Sequence, residues 1–109
     1  VHINAVGAYR VDMAEIPPEV VCRSRVVVDH RVSALEEAGD LIAPIQQGLI
    51  PESHIESELG DLLLGRFPGR ERTDEITLFK SVGVAIQDLH AAEKALENAR
   101  QLSLGVPLT

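Results

Sequence analysis

Three valines in succession, Val26-Val27-Val28, flanked by Arg25 and Asp29, constrain this chain more than any other feature. β-Branched side chains lose freedom in a helix and pack well on a pleated surface, so the run predicts a strand. Neither of its faces offers a polar residue to water, which places it centrally. Only 3% of the 109 residues are aromatic and none is Trp, so the core is built from Val, Ile, Leu and Ala, the palette of helices layered on a parallel sheet. At this length one domain over residues 1–109 is expected, with an α/β fold.

The rest of the chain supplies partners for that strand. Val1 to Gly7 reads as a short strand ending at a glycine, apolar apart from His2 and Asn4, and is expected inside the sheet. Pro17-Pro18-Glu19 delivers a short helix at about 18 to 24, because proline is tolerated in a first turn. Ser33-Ala34-Leu35-Glu36 has capping-box spacing and predicts a helix to about Ile45, with Pro44 near its end and Gly48 closing it. Ser53-His54-Ile55-Glu56 has the same spacing and predicts a second capped helix, with Ile55, Leu59, Leu62 and Leu63 on one side and Gly65 at its end. Glu75 to Lys80 alternates like a third strand. Ser81-Val82-Gly83 then turns the chain into its longest helix, about 84 to 102, where Ala85, Leu89, Ala92, Leu96 and Ala99 form an apolar stripe. About three parallel strands are expected, with right-handed crossovers and ligands gathered at their carboxyl ends, at Gly7 to Arg10, Asp29 to Arg31 and Lys80 to Gly83. So narrow a sheet has exposed edges, and pairing with another chain, most simply a second copy, is the structural expectation.

Composition excludes several functions. Ten basic against seventeen acidic side chains give a net charge of −7, which repels nucleic acid and anionic lipid. No apolar run approaches the roughly 20 residues of a membrane span, and no basic segment precedes an apolar one at the start. Cys22 stands alone, so neither a disulfide framework nor a Cys-rich zinc module is available, and a reducing cytoplasm is the expected setting. The chain begins without methionine directly in a strand-like run, which raises the expectation that residues have been removed upstream. No G-x-G-x-x-G, Walker loop, G-x-S-x-G elbow or CxxC pair occurs.

Several residues are candidates for a site, each with a plain alternative. Val6-Gly7-Ala8-Tyr9 ends a strand in small residues that let a planar ligand approach backbone, or form a simple tight turn. Ser81, at the mouth of a helix, faces an anion or polar cofactor edge, or caps the helix. The Glu58 carboxylate holds a cationic amine, or lies on a solvated face. His54 and Glu58 stand four apart without a third ligand, so no metal is expected. The Arg66-to-Arg72 loop meets a phosphate or is solvated, and Cys22 reads as a small buried hydrophobe. His2, His30 and His90 form no catalytic pair, and no catalytic residue is assigned.

Taken together, His2 to Ala8, Val26 to Asp29, Ala38-Gly39-Asp40, Glu58-Leu59-Gly60, Glu75 to Gly83 and Ala85 to Asp88 resemble the ornithine cyclodeaminase/mu-crystallin family, in order and spacing. The likeness covers essentially the whole chain and corresponds to the family's carboxy-terminal third. It implies a partial Rossmann-like, three-layer NAD(P) domain whose last helix returns to a dimerisation domain. It also implies an NAD(P)-dependent imino-acid (ketimine) reductase or amino-acid dehydrogenase, with Val6, Gly7, Ala8, Tyr9 and Ser81 at the nicotinamide and Glu58 facing substrate. Tyr9 stands where the cyclodeaminases and related alanine dehydrogenases carry an aspartate implicated in catalysis, so ornithine cyclisation is not expected. The family's glycine-rich phosphate loop and its substrate-binding Lys and Arg would lie upstream of Val1. This chain alone is therefore not expected to hold NAD or NADP tightly or to catalyse, and a missing amino-terminal chain is an expected partner. The rival expectation is a non-catalytic oligomeric module derived from that fold.

Overall fold

The computed structural model describes residues 1–108. Among them four strands form one parallel sheet, in the order β1 (His2–Ala5), β4 (Ile76–Lys80), β2 (Ser24–Val28), β3 (Ile55–Glu58). The connecting helices are α1 (Pro18–Arg23), α2 (Arg31–Glu37), α3 (Gly39–Gln46), α4 (Leu59–Leu63) and α5 (Ala85–Gln101), with a 3₁₀ turn at Glu52–His54. The expected α/β class is found, and the valine strand is central. Strand β1, expected inside the sheet, is an edge strand of the described chain, and His2 and Asn4 on it are exposed.

The two faces of the sheet differ. On one, Ala5, Val26, Val28, Leu78 and Ile55 meet Val21 of α1, Ala34 of α2 and Leu41 of α3 in a single apolar cluster. The other face is thinly covered. Arg25, Val27, Thr77 and Phe79 there are half-buried, and Leu59 and Leu62 of α4 with Phe67 and Pro68 border an open groove of about 440 Å³. Val27 is thus less enclosed than its two neighbours, because the second layer of helices is short.

Two segments depart from the sequence expectation. Residues 55–58, expected in a helix opened by Ser53, form β3. Ile55 and Ser57 point into the core and Glu56 and Glu58 away from it, a period of two, and sheet pairing with β2 overrides the capping-box signal. One residue, Glu56, is inserted as a bulge between the partners of Val26 and Val27. The helix expected from Ser33 to Ile45 is two helices broken at Ala38, and its start is His30, whose ring accepts the Ser33 N–H. Pro44 lies inside α3, two residues before its end.

The break has a steric cause. Gly39 begins α3 directly beneath the loop after β1, where a β-carbon would collide with the carbonyl oxygens of Met13, Val11 and Arg10. Next to it Asp40, fully buried, accepts the backbone N–H groups of Glu15 and Ile16 at 2.6 and 2.8 Å. The α2–α3 corner therefore clamps the loop 10–16.

Helix α5 buries none of its residues against the rest of the chain. Ile86, Leu89 and Leu96 are each more than half exposed, so the apolar stripe expected there has no cover within the described residues. No helix among them is long and apolar enough to cross a membrane.

Gly39→Ala is expected to destabilise the fold by about 1–3 kcal/mol, the usual range for an overpacked site, measured by urea unfolding. An unchanged midpoint would contradict the close approach of loop and helix.

Candidate functional site

Parallel pairing in register sets Ala5, Lys80, Val28 and Glu58 in one row across the sheet. The residues that follow them share the carboxyl-terminal edge, where Val6 to Tyr9 and Ser81 lie, with Glu58 at the end of its own strand. The Ser81 N–H donates to Ala5 O at 3.0 Å, which extends the β1–β4 ladder and sets Ser81 beside Val6-Gly7-Ala8-Tyr9. Val6 and Tyr9 are exposed and Ala8 is buried, so the strand end presents one apolar and one aromatic side chain outward on a fixed backbone. Glu58 stands two strands from Ser81, roughly 10 Å by strand spacing.

Glu58 is the last residue of β3, not a helix residue. Its Oε1 accepts the N–H of Arg31, first residue of α2, at 2.7 Å, so the carboxylate satisfies a free donor at that helix start. The Arg31 guanidinium in turn donates to the carbonyls of Ile55 and Glu52. Glu58 is half-buried, which leaves part of the group open to solvent at the edge.

Asp29, which directly follows β2, lies in one of the strand-end stretches where the sequence places ligands, but the sequence gives it no role of its own. Its Oδ2 accepts the Ser81 hydroxyl at 2.6 Å and the Gly83 N–H at 2.9 Å, while Oδ1 accepts the His30 N–H at 3.0 Å. Gly83, whose N–H donates to that carboxylate, takes φ +86°, the left-handed region that favours glycine, and so turns the chain toward α5. The Ser81 hydroxyl proton is thereby committed to Asp29, and Ser81 Oγ keeps its acceptor side, which also takes the Gly83 N–H at 3.2 Å.

A second missed feature lies under β1. The Lys80 side chain is fully buried, and its Nζ donates to Ala8 O at 2.6 Å and to Glu15 Oε1 at 3.1 Å. Asp40 Oδ2 lies 2.8 Å from the same nitrogen, an ion-pair contact outside hydrogen-bonding angles. Glu15 Oε1 also accepts the N–H groups of Gly7 and Ala8, at 2.8 and 3.2 Å. Burial pushes the Glu15 carboxyl up, but the hydrogen bonds from Lys80, Ala8 and Gly7 and the Lys80 charge outweigh it and hold the group below its ordinary value of 4.5. Alternation along β4 signals that Lys80 points inward with Leu78, and that was the available clue.

The remaining candidates stay apart from this edge. His54 Nε2 donates to Val21 O from the 3₁₀ turn, and no group of three metal-ligating side chains occurs among the described residues. Cys22 is half-buried against the core. The Arg66-to-Arg72 loop spends its charges internally, Arg66 on Asp61, Arg72 on Asp74, and Arg70 on the carbonyls of Val1 and Glu75 and on Thr77.

Residues 1–103 match the ornithine cyclodeaminase/mu-crystallin family. A Delta(1)-pyrroline-2-carboxylate reductase of Bacillus cereus is 44% identical over 106 residues, 96% of this chain and 33% of that protein. The structure of the Thermococcus litoralis Delta(1)-pyrroline-2-carboxylate reductase in complex with NADH and L-proline superposes with a TM-score of 0.90 at 44% identity, over 98% of this chain and 33% of that one. An archaeal alanine dehydrogenase dimer with bound NAD superposes at 0.84 and 32% identity, over 99% and 33% of the two chains. The chain spans about a third of the length of these relatives, corresponding to their carboxy-terminal third.

Lys80→Met leaves Asp40 buried without its counter-charge and is expected to lose about 3–5 kcal/mol in urea unfolding. Adding Asp40→Asn, which keeps the acceptor for Glu15 and Ile16, should recover part of that loss. Because the folded pKa of Glu15 is depressed, its contribution is present above 4.5 and is lost as pH falls through the folded value. Glu15→Gln is therefore expected to flatten the acid limb of a stability–pH curve, and equal slopes in the two proteins would contradict the clamp.

Proposed function

Since the chain belongs to the ornithine cyclodeaminase/mu-crystallin family, we propose that it supplies the nicotinamide-side wall of an NAD(P)-dependent imino-acid (ketimine) reductase or amino-acid dehydrogenase, as its carboxy-terminal portion. The observation that carries this reading is the juxtaposition of Ser81 with Val6 to Tyr9 at the carboxyl edge of a parallel sheet, the usual ligand edge of such folds. Fit to the cofactor is partial. Val6 and Tyr9 offer exposed apolar contact, and Ser81 Oγ retains acceptor capacity beside the Gly83 N–H, which suits a ring with a polar substituent. Nothing in the chain suits the diphosphate, which in dinucleotide folds rests on a G-x-G-x-x-G turn.

When bound, reduced nicotinamide supplies the hydride that such reductases pass to an imine carbon. This chain's own contribution is orientation and exclusion of water. Val6 to Tyr9 would hold one side of the ring, Lys80, Glu15 and Asp40 keep that segment in place, and Asp29 fixes Ser81. Glu58 faces the substrate end, where its charge suits a cationic nitrogen. Tyr9 at the position of the cyclodeaminase aspartate favours reduction over cyclisation. No acid or base is assigned to this chain.

The uncovered stripe of α5 and the free edge of β1 support assembly, with a second copy or with a polypeptide corresponding to the relatives' amino-terminal two-thirds. In this reading the chain is one domain over 1–109, α5 leads to the dimerisation domain, and the protein works in the cytoplasm. The same uncovered surfaces favour the second reading, a non-catalytic oligomeric module.

Amide spectra of the 109-residue chain titrated with reduced nicotinamide mononucleotide and with NADH test this. Weak saturable shifts confined to residues 6–9 and 81–83 are expected from both, with no turnover of Δ1-pyrroline-2-carboxylate. No shift at millimolar ligand would leave the oligomeric module standing. Turnover by the isolated chain would overturn the assignment of the diphosphate grip elsewhere.

A further inference from the structure

The end of β1 has the parts of an anion site, and that site is already filled from within. Two successive backbone N–H groups, of Gly7 and Ala8, converge on Glu15 Oε1 at 2.8 and 3.2 Å, and Lys80 Nζ lies 3.1 Å from the same oxygen. Paired N–H donors with an ammonium beside them are the chemistry that grips a phosphate or carboxylate ligand. Here the carboxylate comes from the chain itself. The loop that carries it is pinned by Asp40 through the N–H groups of Glu15 and Ile16, so Glu15 is delivered to this position and held there. Gly7 makes room for it, since a β-carbon at residue 7 would stand 2.5 Å from Glu15 Oε2.

We propose that Glu15 is a built-in carboxylate that occupies this nest in place of a ligand anion, so that the end of β1 accepts an uncharged planar ring and rejects phosphate or carboxylate groups. The first clause stands on the geometry of Glu15 alone, and the second rests on the nicotinamide-wall reading above. Charge acts in the same direction as geometry. Lys80 is shared by Asp40 and Glu15, which leaves the cluster with a surplus negative charge and repels a further anion. Without Glu15 the cluster is neutral, and two N–H groups lose their acceptor. Glu15 is thus a specificity-determining residue acting through the backbone of Gly7 and Ala8, and it is no part of any acid–base step.

The test follows the Gly7 and Ala8 amides of the 109-residue chain during titration with sodium formate and with inorganic phosphate at constant ionic strength. Wild type is expected to show no saturable shift with either. Glu15→Ala is expected to gain formate binding at those two amides by at least about tenfold over wild type, as charge-assisted hydrogen bonds imply. Glu15→Gln, whose side-chain carbonyl still fills the nest, is expected to gain none. A folded Glu15→Ala that binds no better than wild type overturns the proposal, as does wild type binding formate there as tightly. If Glu15→Ala is unfolded in low salt, recovery of its folded spectrum by formate but not by chloride supports the proposal, and equal recovery in both overturns it. The nicotinamide mononucleotide titration is separate. Its failure in wild type would remove the wall reading and leave the result on Glu15 intact.

Discussion

One ammonium group holds the edge of this molecule together. Lys80 Nζ, with no access to water, meets Ala8 O from β1's end, Glu15 Oε1 from the following loop and Asp40 Oδ2 from α3. A lone charge in that position would be prohibitive, and its burial is tolerated because two carboxylates and a carbonyl surround it. Each of those partners is itself tied to backbone. Asp40 takes two N–H groups of the loop, and Glu15 takes two N–H groups of the strand end. The segment Val6 to Tyr9 is therefore fixed by electrostatics at a place where small residues alone would leave it slack.

The parallel register gives this its functional consequence. With Ala5, Lys80, Val28 and Glu58 abreast, four strand ends share one edge, and Ser81, Asp29 and Glu58 each have a defined task there. Ser81 extends the ladder to β1, and Asp29 orients Ser81 and accepts the N–H of Gly83 in its left-handed turn. Glu58 secures the start of α2. The charged groups at this edge act mainly on backbone, which is how a rigid ligand wall differs from a reactive centre.

What the chain leaves bare is equally informative. Among the described residues helix α5 carries an apolar stripe with no cover, β1 presents an unpaired backbone edge, and the second face of the sheet is only partly roofed by α4. Relatives about three times as long share this third at 44% identity.

The class of fold, the central valine strand, the strand at 76–80, the long last helix and the edge on which the candidate site lies are all legible in the amino-acid order. Those features follow from local periodicity and from β-branched runs, which survive without knowledge of neighbours. The capping signal at Ser53 misled, because Ile55-Glu56-Ser57-Glu58 becomes a strand only when β2 lies alongside to pair with it. The kink at Ala38 and Gly39 was invisible for the same kind of reason, since it answers to carbonyls of residues 10–13. Lys80, Asp40 and Glu15 lie 25 to 65 residues apart, and nothing in the residues around any one of them names the other two. Their meeting is a product of folding, because a buried charge is settled by what the fold brings within ion-pair distance and not by the chain on either side of it.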